Sequence, residues 1–164
     1  MRSQHLPPFE RVIEEHGHAV FRFCVTQAGS ERGEDCFQET MLAALRAYDQ
    51  VRDAAAIRSW LFSIAARKAV DEQRARTRAP EPVAELEQLA GGDEAAVRDD
   101  GIWRLVRSLP AKQRTAVALR YLGDLSHGEI AEVMGTSEAA ARRNVFEGLG
   151  RLRAHLEPAT EGTT

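Results

Sequence analysis

Residues 126–146, SHGEIAEVMGTSEAAARRNVF, hold side chains suited to meeting a polyanion. Arg142 and Arg143 can pair with phosphates, or one of them can reach a guanine edge. Asn144 can read adenine bidentately where it faces a groove. Ser137 and the backbone amides beside it can hold a phosphate at a helix start. A helix, a tight turn at Gly135 and a second helix opening at Ser137 make the layout of a DNA-binding helix-turn-helix, whose second helix enters the major groove. A solvated helix face carrying arginines for solubility is the plainer alternative. The Ser126–Glu129 capping box, the glycine at the turn and the small residues Ala139, Ala140 and Ala141 favour the DNA reader.

A second segment, IRSWLFSIAARKAVDEQR at 57–74, places an aromatic and several basic residues along one amphipathic helix. Trp60 can stack on an unpaired base while Arg58, Arg67, Lys68 and Arg74 follow a strand's backbone. Periodicity alone equally allows Trp60 to be a core residue.

The elements that position these residues read as helical throughout. Proline falls at 7, 8, 80, 82, 110 and 158, outside the periodic stretches, and no run of alternating β-branched residues suggests a sheet. Phe9, Val12, Ile13, His16, Val20 and Phe23 recur at helical spacing in a first helix that Gly29 ends. Ser30 can cap a second helix, whose stripe is Phe37, Met41, Ala44, Leu45 and Tyr48. Residues 49–56 read as a loop or loose turn. A third helix carries Ile57, Trp60, Leu61, Ile64 and Ala65 and runs into Arg74, Arg76 and Arg78. A second helical unit begins near residue 95, with Ile102, Val106 and Leu109 as its first stripe. Pro110 suits the first turn of the following helix, where Val117, Leu119 and Leu122 form the inner side. Ile130, Ala131, Val133 and Met134 are the apolar side of the helix before the turn.

The net charge is −3, so the distribution of charge matters more than its sum. Between the arginines at 74–78 and those at 142–153, residues 79–100 hold Glu81, Glu85, Glu87, Asp93, Glu94, Asp99 and Asp100 against Arg98 alone. With Pro80, Pro82 and Gly91-Gly92 at its margins, this stretch reads as an acidic linker with little core of its own.

Other chemistries find little support. No nucleophile–base–orienter set and no phosphate-cradling glycine loop is visible, and the Ser126-His127 adjacency fits helix capping better than catalysis. Cys24 and Cys36 read as small buried thiols rather than a disulfide framework. Together with His16 and His18 they match no compact zinc spacing, so neither a metal nor a cofactor is expected. No apolar run is long enough to span a bilayer, and MRSQHLPPFE lacks a signal-peptide core, so a cytoplasmic protein is expected.

The stretch EDCFQETMLAALRAY at 34–48, followed by IRSWLFSIAARKAVDEQR, resembles region two of bacterial sigma factors. LPAKQRTAVALRYLGDLSHGEIAEVMGTSEAAARRNVFEGLGRLRAHL at 109–156 resembles their region four. Both regions in this order and in so short a chain resemble the extracytoplasmic-function (ECF, group IV) class. The resemblance implies an all-α, two-domain chain: region two over 1–78, a linker over 79–98 and region four over 99–157; the short, polar tail over 158–164 reads as disordered. It implies a non-catalytic subunit that binds core RNA polymerase, directs it to promoters and assists melting; the alternative is a sigma-like DNA-binding regulator that does not open promoters. Asp35, Gln38, Glu39, Leu42 and Arg46 would dock on the β′ clamp helices. Arg58, Trp60, Arg67, Lys68 and Arg74 would meet the minus-ten element. Ser126, His127, Ser137, Glu138, Ala140, Arg142, Arg143 and Asn144 would meet the minus-thirty-five element, with region four also seated on the β flap. An anti-sigma factor that masks these surfaces is a further implied partner. Lys68 stands where the family frequently has Asn, and Ala139 to Asn144 replace its common Gly-Thr-Val-Lys-Ser-Arg run.

Overall fold

The computed structural model describes residues 5–78 and 100–156, with side chains throughout except at residues 76–78 and 100. Among these residues all regular structure is helical. The chain divides into two compact units, Met1–Gly91 and Gly92–Thr164. The expected linker at 79–98 and the tail at 158–164 lie outside the described residues.

The first unit packs α1 (Phe9–Ala28), α2 (Ser30–Ala47) and α3 (Ile57–Arg78) against one another, each touching the other two. Gly29 breaks α1 from α2 with φ 89°, a left-handed value that a side chain would disfavour. Ser30 is the first residue of α2 rather than its cap: Gly29 holds that position, and no side chain caps the helix. The α1–α2 hairpin is tight because Gly33 has no side chain; a Cβ there would lie 2.6 Å from the Cα of Val25. Val12, Val20, Phe23, Leu61 and Phe62 form the centre of the core, and Phe23 and Phe62 meet edge to face with ring centroids 5.5 Å apart. The connection expected as a loop at 49–56 is two short 3-10 turns, Tyr48–Gln50 and Ala54–Ala56, joined by extended residues. Tyr48 therefore leaves the α2 stripe. Its hydroxyl donates to the Pro7 carbonyl, and its ring packs on Phe9, which ties the segment before α1 to this turn.

Cys24 and Cys36 are free, fully buried thiols. Their mutual hydrogen bond and their burial push the Cys24 thiol far above its usual range, and the Cys36 thiol reaches the Ala65 carbonyl at 3.9 Å. The mutual hydrogen bond lowers the Cys36 pKa, so Cys36, unlike Cys24, is protected by burial alone. With attack confined to the thiolate and both sulfurs closed off from solvent, iodoacetamide at mildly alkaline pH is expected to leave both cysteines unmodified in the folded protein. Both should be labelled after denaturation, as intact-mass measurement would read.

The second unit contains α4 (Asp100–Arg107), α5 (Ala111–Tyr121), α6 (His127–Met134) and α7 (Glu138–Leu156). Val106, Leu109, Val117 and Leu152 form one buried cluster, with Trp103, Leu105 and Leu149 against it. Leu119, Leu125, Ile130, Ala141 and Val145 extend the interior toward α6. Pro110 is the residue before α5 rather than a member of it. Three residues expected in apolar stripes are instead outside: Ile13 on α1 is 39% exposed, Leu45 on α2 is 54% exposed and Ile102 on α4 is 56% exposed. Each shares a helix with buried residues, but no neighbouring helix covers the arc of surface where it lies.

Candidate nucleic-acid and polymerase interfaces

The helix-turn-helix is built by local rules. Ser126 accepts from the Glu129 amide at 3.1 Å while the Glu129 carboxylate accepts from the Ser126 amide at 3.0 Å, a complete capping box at the start of α6. Gly135 closes α6 at φ 65°, ψ 41°, and the Thr136 amide donates back to the Ala131 carbonyl at 3.0 Å. This is a Schellman-type stop that needs a left-handed residue at Gly135. Ser137 then accepts from the Ala140 amide at 3.1 Å and starts α7. Upstream, Arg120 donates to the Leu125 carbonyl at 2.9 Å and braces the turn into α6.

α7 lays Ala141, Val145, Gly148 and Leu152 against the unit. Gly148 is needed there, because a Cβ would lie 2.7 Å from Cγ2 of Val117 on α5. The opposite side of α7 presents Ala139, Arg142 and Arg143 to solvent. Arg142 is held by Glu138 one turn earlier at 3.3 Å, an exposed pair of small energetic weight. Asn144 is half-buried on the flank of the helix, and at about 100° per residue it points away from the arginine face. Ala140 and His127 are also half-buried, while Ser126 and Ser137 are exposed but already engaged in capping. The carboxylate of Glu147 accepts from Nε2 of the buried Gln113 on α5 at 3.3 Å, which draws its charge off the arginine face.

In the first unit, Trp60, Arg67 and Lys68 come together with Ala43, Ala47, Gln50, Ile64 and Asp71 around an open cavity of about 450 Å³. Trp60 is half-buried, and its ring leans toward Tyr48 with centroids 6.3 Å apart, so it is both a packing residue and a wall of the cavity. Arg74 lies a turn further along the same side of α3, given about 100° of rotation per residue. Arg58 is separated from this group: it sits close to His16 on α1. Burial lowers the His16 pKa, Glu15 raises it, and the Arg58 charge lowers it again. Gln50 and Asp71 were not visible as site residues in the sequence, because only the packing of α2 against α3 brings them to the cavity.

The third surface lies on α2. Asp35, Gln38, Glu39, Leu42 and Arg46 are all exposed, and Leu45 joins them. Gly33, Cys36, Thr40 and Ala44 take the inner side. Leu42 at 53% and Leu45 at 54% exposure thus form an apolar pair within a polar and charged frame. The distribution of large and charged side chains in such a surface suits a protein partner.

Among the described residues no group of His, Cys, Asp and Glu could hold a metal ion, and no helix is long and apolar enough to cross a membrane.

Comparison with known proteins identifies the family of both helical units. Residues 12–79 match the family described as Sigma-70 region 2, and residues 100–152 match Sigma-70, region 4. The chain is similar to the ECF RNA polymerase sigma factor SigD of Mycobacterium tuberculosis (strain ATCC 25618 / H37Rv), 33% identical over 90% of this chain and 76% of that protein. It is also similar to the RNA polymerase sigma factor SigV of Bacillus subtilis (strain 168), 29% identical over 88% of each chain. Among solved structures, the sigma factor RpoE of Bartonella quintana, crystallised with the anti-sigma factor NepR, shares the fold with a TM-score of 0.73 and 20% identity over 91% of this chain and 96% of that one. With two family regions in order and a relative one-third identical along most of its length, this chain belongs to the ECF RNA polymerase sigma factors, which direct RNA polymerase to promoters.

Proposed function

We propose that this sigma factor joins core RNA polymerase through the exposed face of α2 and reads a promoter at two points. Residues 1–78 act as region two and residues 99–157 as region four, tethered by the acidic stretch 79–98. The observation that carries this reading is the segregation of surfaces: Leu42 and Leu45 face outward from one unit, and Arg142 and Arg143 face outward from the recognition helix of the other. Asp35, Gln38, Glu39 and Arg46 frame the leucines and set the register on the β′ clamp helices. Region four sits on the β flap. The linker's negative charge suits a basic channel built for RNA.

In region two, Trp60, Arg67 and Lys68 line part of an open cavity of about 450 Å³, in which an extracted nucleobase could lodge. Extracting a base costs a few kcal/mol. Stacking against an aromatic ring returns roughly 1–3 kcal/mol, and polymerase and backbone contacts supply the remainder. Arg74 follows the strand, while Arg58 serves the backbone from the α1 side. In region four, the start of α7 at Ser137 and Glu138 meets the duplex first, with Ser126, His127 and Ala140 alongside. The chain does no chemistry itself; the polymerase does, in the cytoplasm. An anti-sigma factor that covers the α2 face would hold the protein inactive.

Run-off transcription with core polymerase and genomic fragments tests this: discrete promoter-dependent starts are expected. DNA binding without transcripts would favour a regulator that does not open promoters. Binding to neither polymerase nor DNA would sink both readings. Arg142→Ala and Arg143→Ala should each weaken promoter binding. A base-reading arginine should cost about 1–3 kcal/mol and relax one position, whereas a phosphate contact should weaken all sequences and reduce the salt slope by about 1. A salt titration on cognate and scrambled duplexes separates the two.

A further inference from the structure

Cys24 and Cys36 are the only cysteines of the chain, and they lie on none of the surfaces described above. They face each other across the α1–α2 hairpin, where their thiols are hydrogen-bonded to one another and shut off from solvent. The helices are close at this level. Packed helices ordinarily keep their axes about 8–10 Å apart. Here Gly33 lets α2 approach until a Cβ on it would stand 2.6 Å from the Cα of Val25, the residue after Cys24. Cys36 follows Gly33 by three residues and lies on the adjoining arc of α2. Two Cα atoms must come within about 4.4–6.8 Å for their sulfurs to join, and backbone contact between the helices is what such a span requires. Closing from a hydrogen-bonded pair to a bond of about 2.05 Å then falls to side-chain rotation. The rotation gives up only the long contact of 3.9 Å between the Cys36 thiol and the Ala65 carbonyl.

The two thiols are not equivalent. The hydrogen bond from Cys24 lowers the Cys36 pKa, against burial and the charges of Glu72 and Glu39. The same bond, together with burial, keeps Cys24 protonated. Cys36 is therefore the attacking sulfur and Cys24 the resolving one. Burial selects the oxidant. A reagent such as glutathione disulfide must pass through a mixed disulfide, and the closed core has no room for a tripeptide on either sulfur. Hydrogen peroxide adds one oxygen in transit and nothing in the product. The finished disulfide holds two hydrogens fewer than the packed thiols it replaces, whereas alkylation leaves a permanent group behind.

We propose that Cys24 and Cys36 form a peroxide-reactive dithiol whose intramolecular disulfide staples α1 to α2. The Cys36 thiolate attacks one peroxide oxygen; the O–O bond breaks, and the departing hydroxide is protonated to water. Cys24 then attacks the sulfur of the Cys36 sulfenic acid; the S–O bond breaks, and a second water leaves with the Cys24 proton. The two thiols lose two electrons, which one hydrogen peroxide takes up. Access comes through brief opening of the hairpin, so the reaction is slower than at an exposed thiol. The disulfide closes residues 24–36 into a loop, which restricts the unfolded chain and holds the hairpin together under oxidising conditions. This site is independent of the promoter and polymerase readings.

The test treats the reduced full-length protein, freed of reductant, with hydrogen peroxide, removes the peroxide with catalase, blocks free thiols and digests without reduction. Trypsin cleavage after Arg22, Arg32 and Arg46 places the cysteines on separate peptides, 23–32 and 33–46. The disulfide should appear as a linked pair of these peptides from one chain, which dithiothreitol splits. Before digestion the oxidised chain should melt several degrees above the reduced one, with dithiothreitol restoring the lower midpoint. Oxidised glutathione at the same concentration should form the linked pair about tenfold more slowly, or less. Cys36→Ser should stay unoxidised, and Cys24→Ser should stop at a Cys36 sulfenic acid that dimedone traps on unfolding. Both variants place a hydroxyl in the core, so the wild-type linkage alone decides where they fail to fold. Wild-type protein that yields no linked pair overturns the proposal, as does linkage between chains or conversion of Cys36 to sulfonic acid without linkage. A linked form that melts below the reduced chain overturns the staple, and equal rates with oxidised glutathione overturn the assignment to peroxide.

Discussion

Replacing Leu42 and Leu45 together by aspartate is expected to abolish holoenzyme assembly while leaving the folded protein intact. Both side chains are more than half exposed, so neither contributes much to the core, and aspartate there remains solvated. Surface substitutions of this kind change stability by only about 0.5 kcal/mol. At an interface the same change has a far larger effect. The leucines are the apolar centre of the α2 face, and closing a partner over two carboxylates strands them without water or counter-charge. Truncating one central anchor commonly costs about 2 kcal/mol or more. Two charged replacements should lower affinity for core polymerase by roughly 100-fold or more, with a thermal midpoint within a few degrees of wild type. Fluorescence anisotropy of labelled protein titrated with core polymerase reads the first quantity, and circular dichroism reads the second. Wild-type affinity in the double variant would move the docking surface off α2.

The second large effect is on stability. Phe62→Ala should destabilise the first unit by about 3–5 kcal/mol. Phe62 is 1% exposed and Phe23 is fully buried, and their edge-to-face contact adds to the area term. Three helices leave little scope for collapse around the resulting void, because Gly33 already brings α1 and α2 to backbone contact. A unit of this size has a stability of the same order as the loss. The melting curve should therefore acquire an early transition, and promoter opening should fail at temperatures where wild type works. Far-ultraviolet circular dichroism against temperature checks this, and a midpoint within 2–3 °C of wild type, about what a sub-kcal/mol change gives, would mean that the pair is not central.

Much of the architecture was legible in the residues alone. Gly29, Pro110 and Gly135 mark helix boundaries because backbone conformation at such positions is set by the residue itself. Ser126 and Glu129 announce a helix start because the capping box closes within four residues. The all-α class, the helix-turn-helix and the family follow from features of this local kind, and from the order of two motifs along one chain. Ser30 shows the limit of such rules: a good capping residue was displaced by one position, because Gly29 made the turn.

What only the tertiary structure decided is which arc of each helix stays uncovered and which distant residues share a site. Periodicity put Ile102 and Leu45 in apolar stripes, yet both are outside, since a stripe is wider than the neighbour that covers it. Trp60, Arg67 and Lys68 share a cavity with Gln50 and Asp71, while Arg58, nearer to Trp60 in sequence than any of these, faces α1. Asn144 follows two outward arginines and still turns to the flank, and Glu147 is drawn off the arginine face by a glutamine 34 residues earlier. Helix formation is decided by contacts within four residues, which a sequence displays. Exposure and convergence are decided by where other helices end and how closely they approach, and the small residues Gly33 and Gly148 set that approach through the atoms they lack.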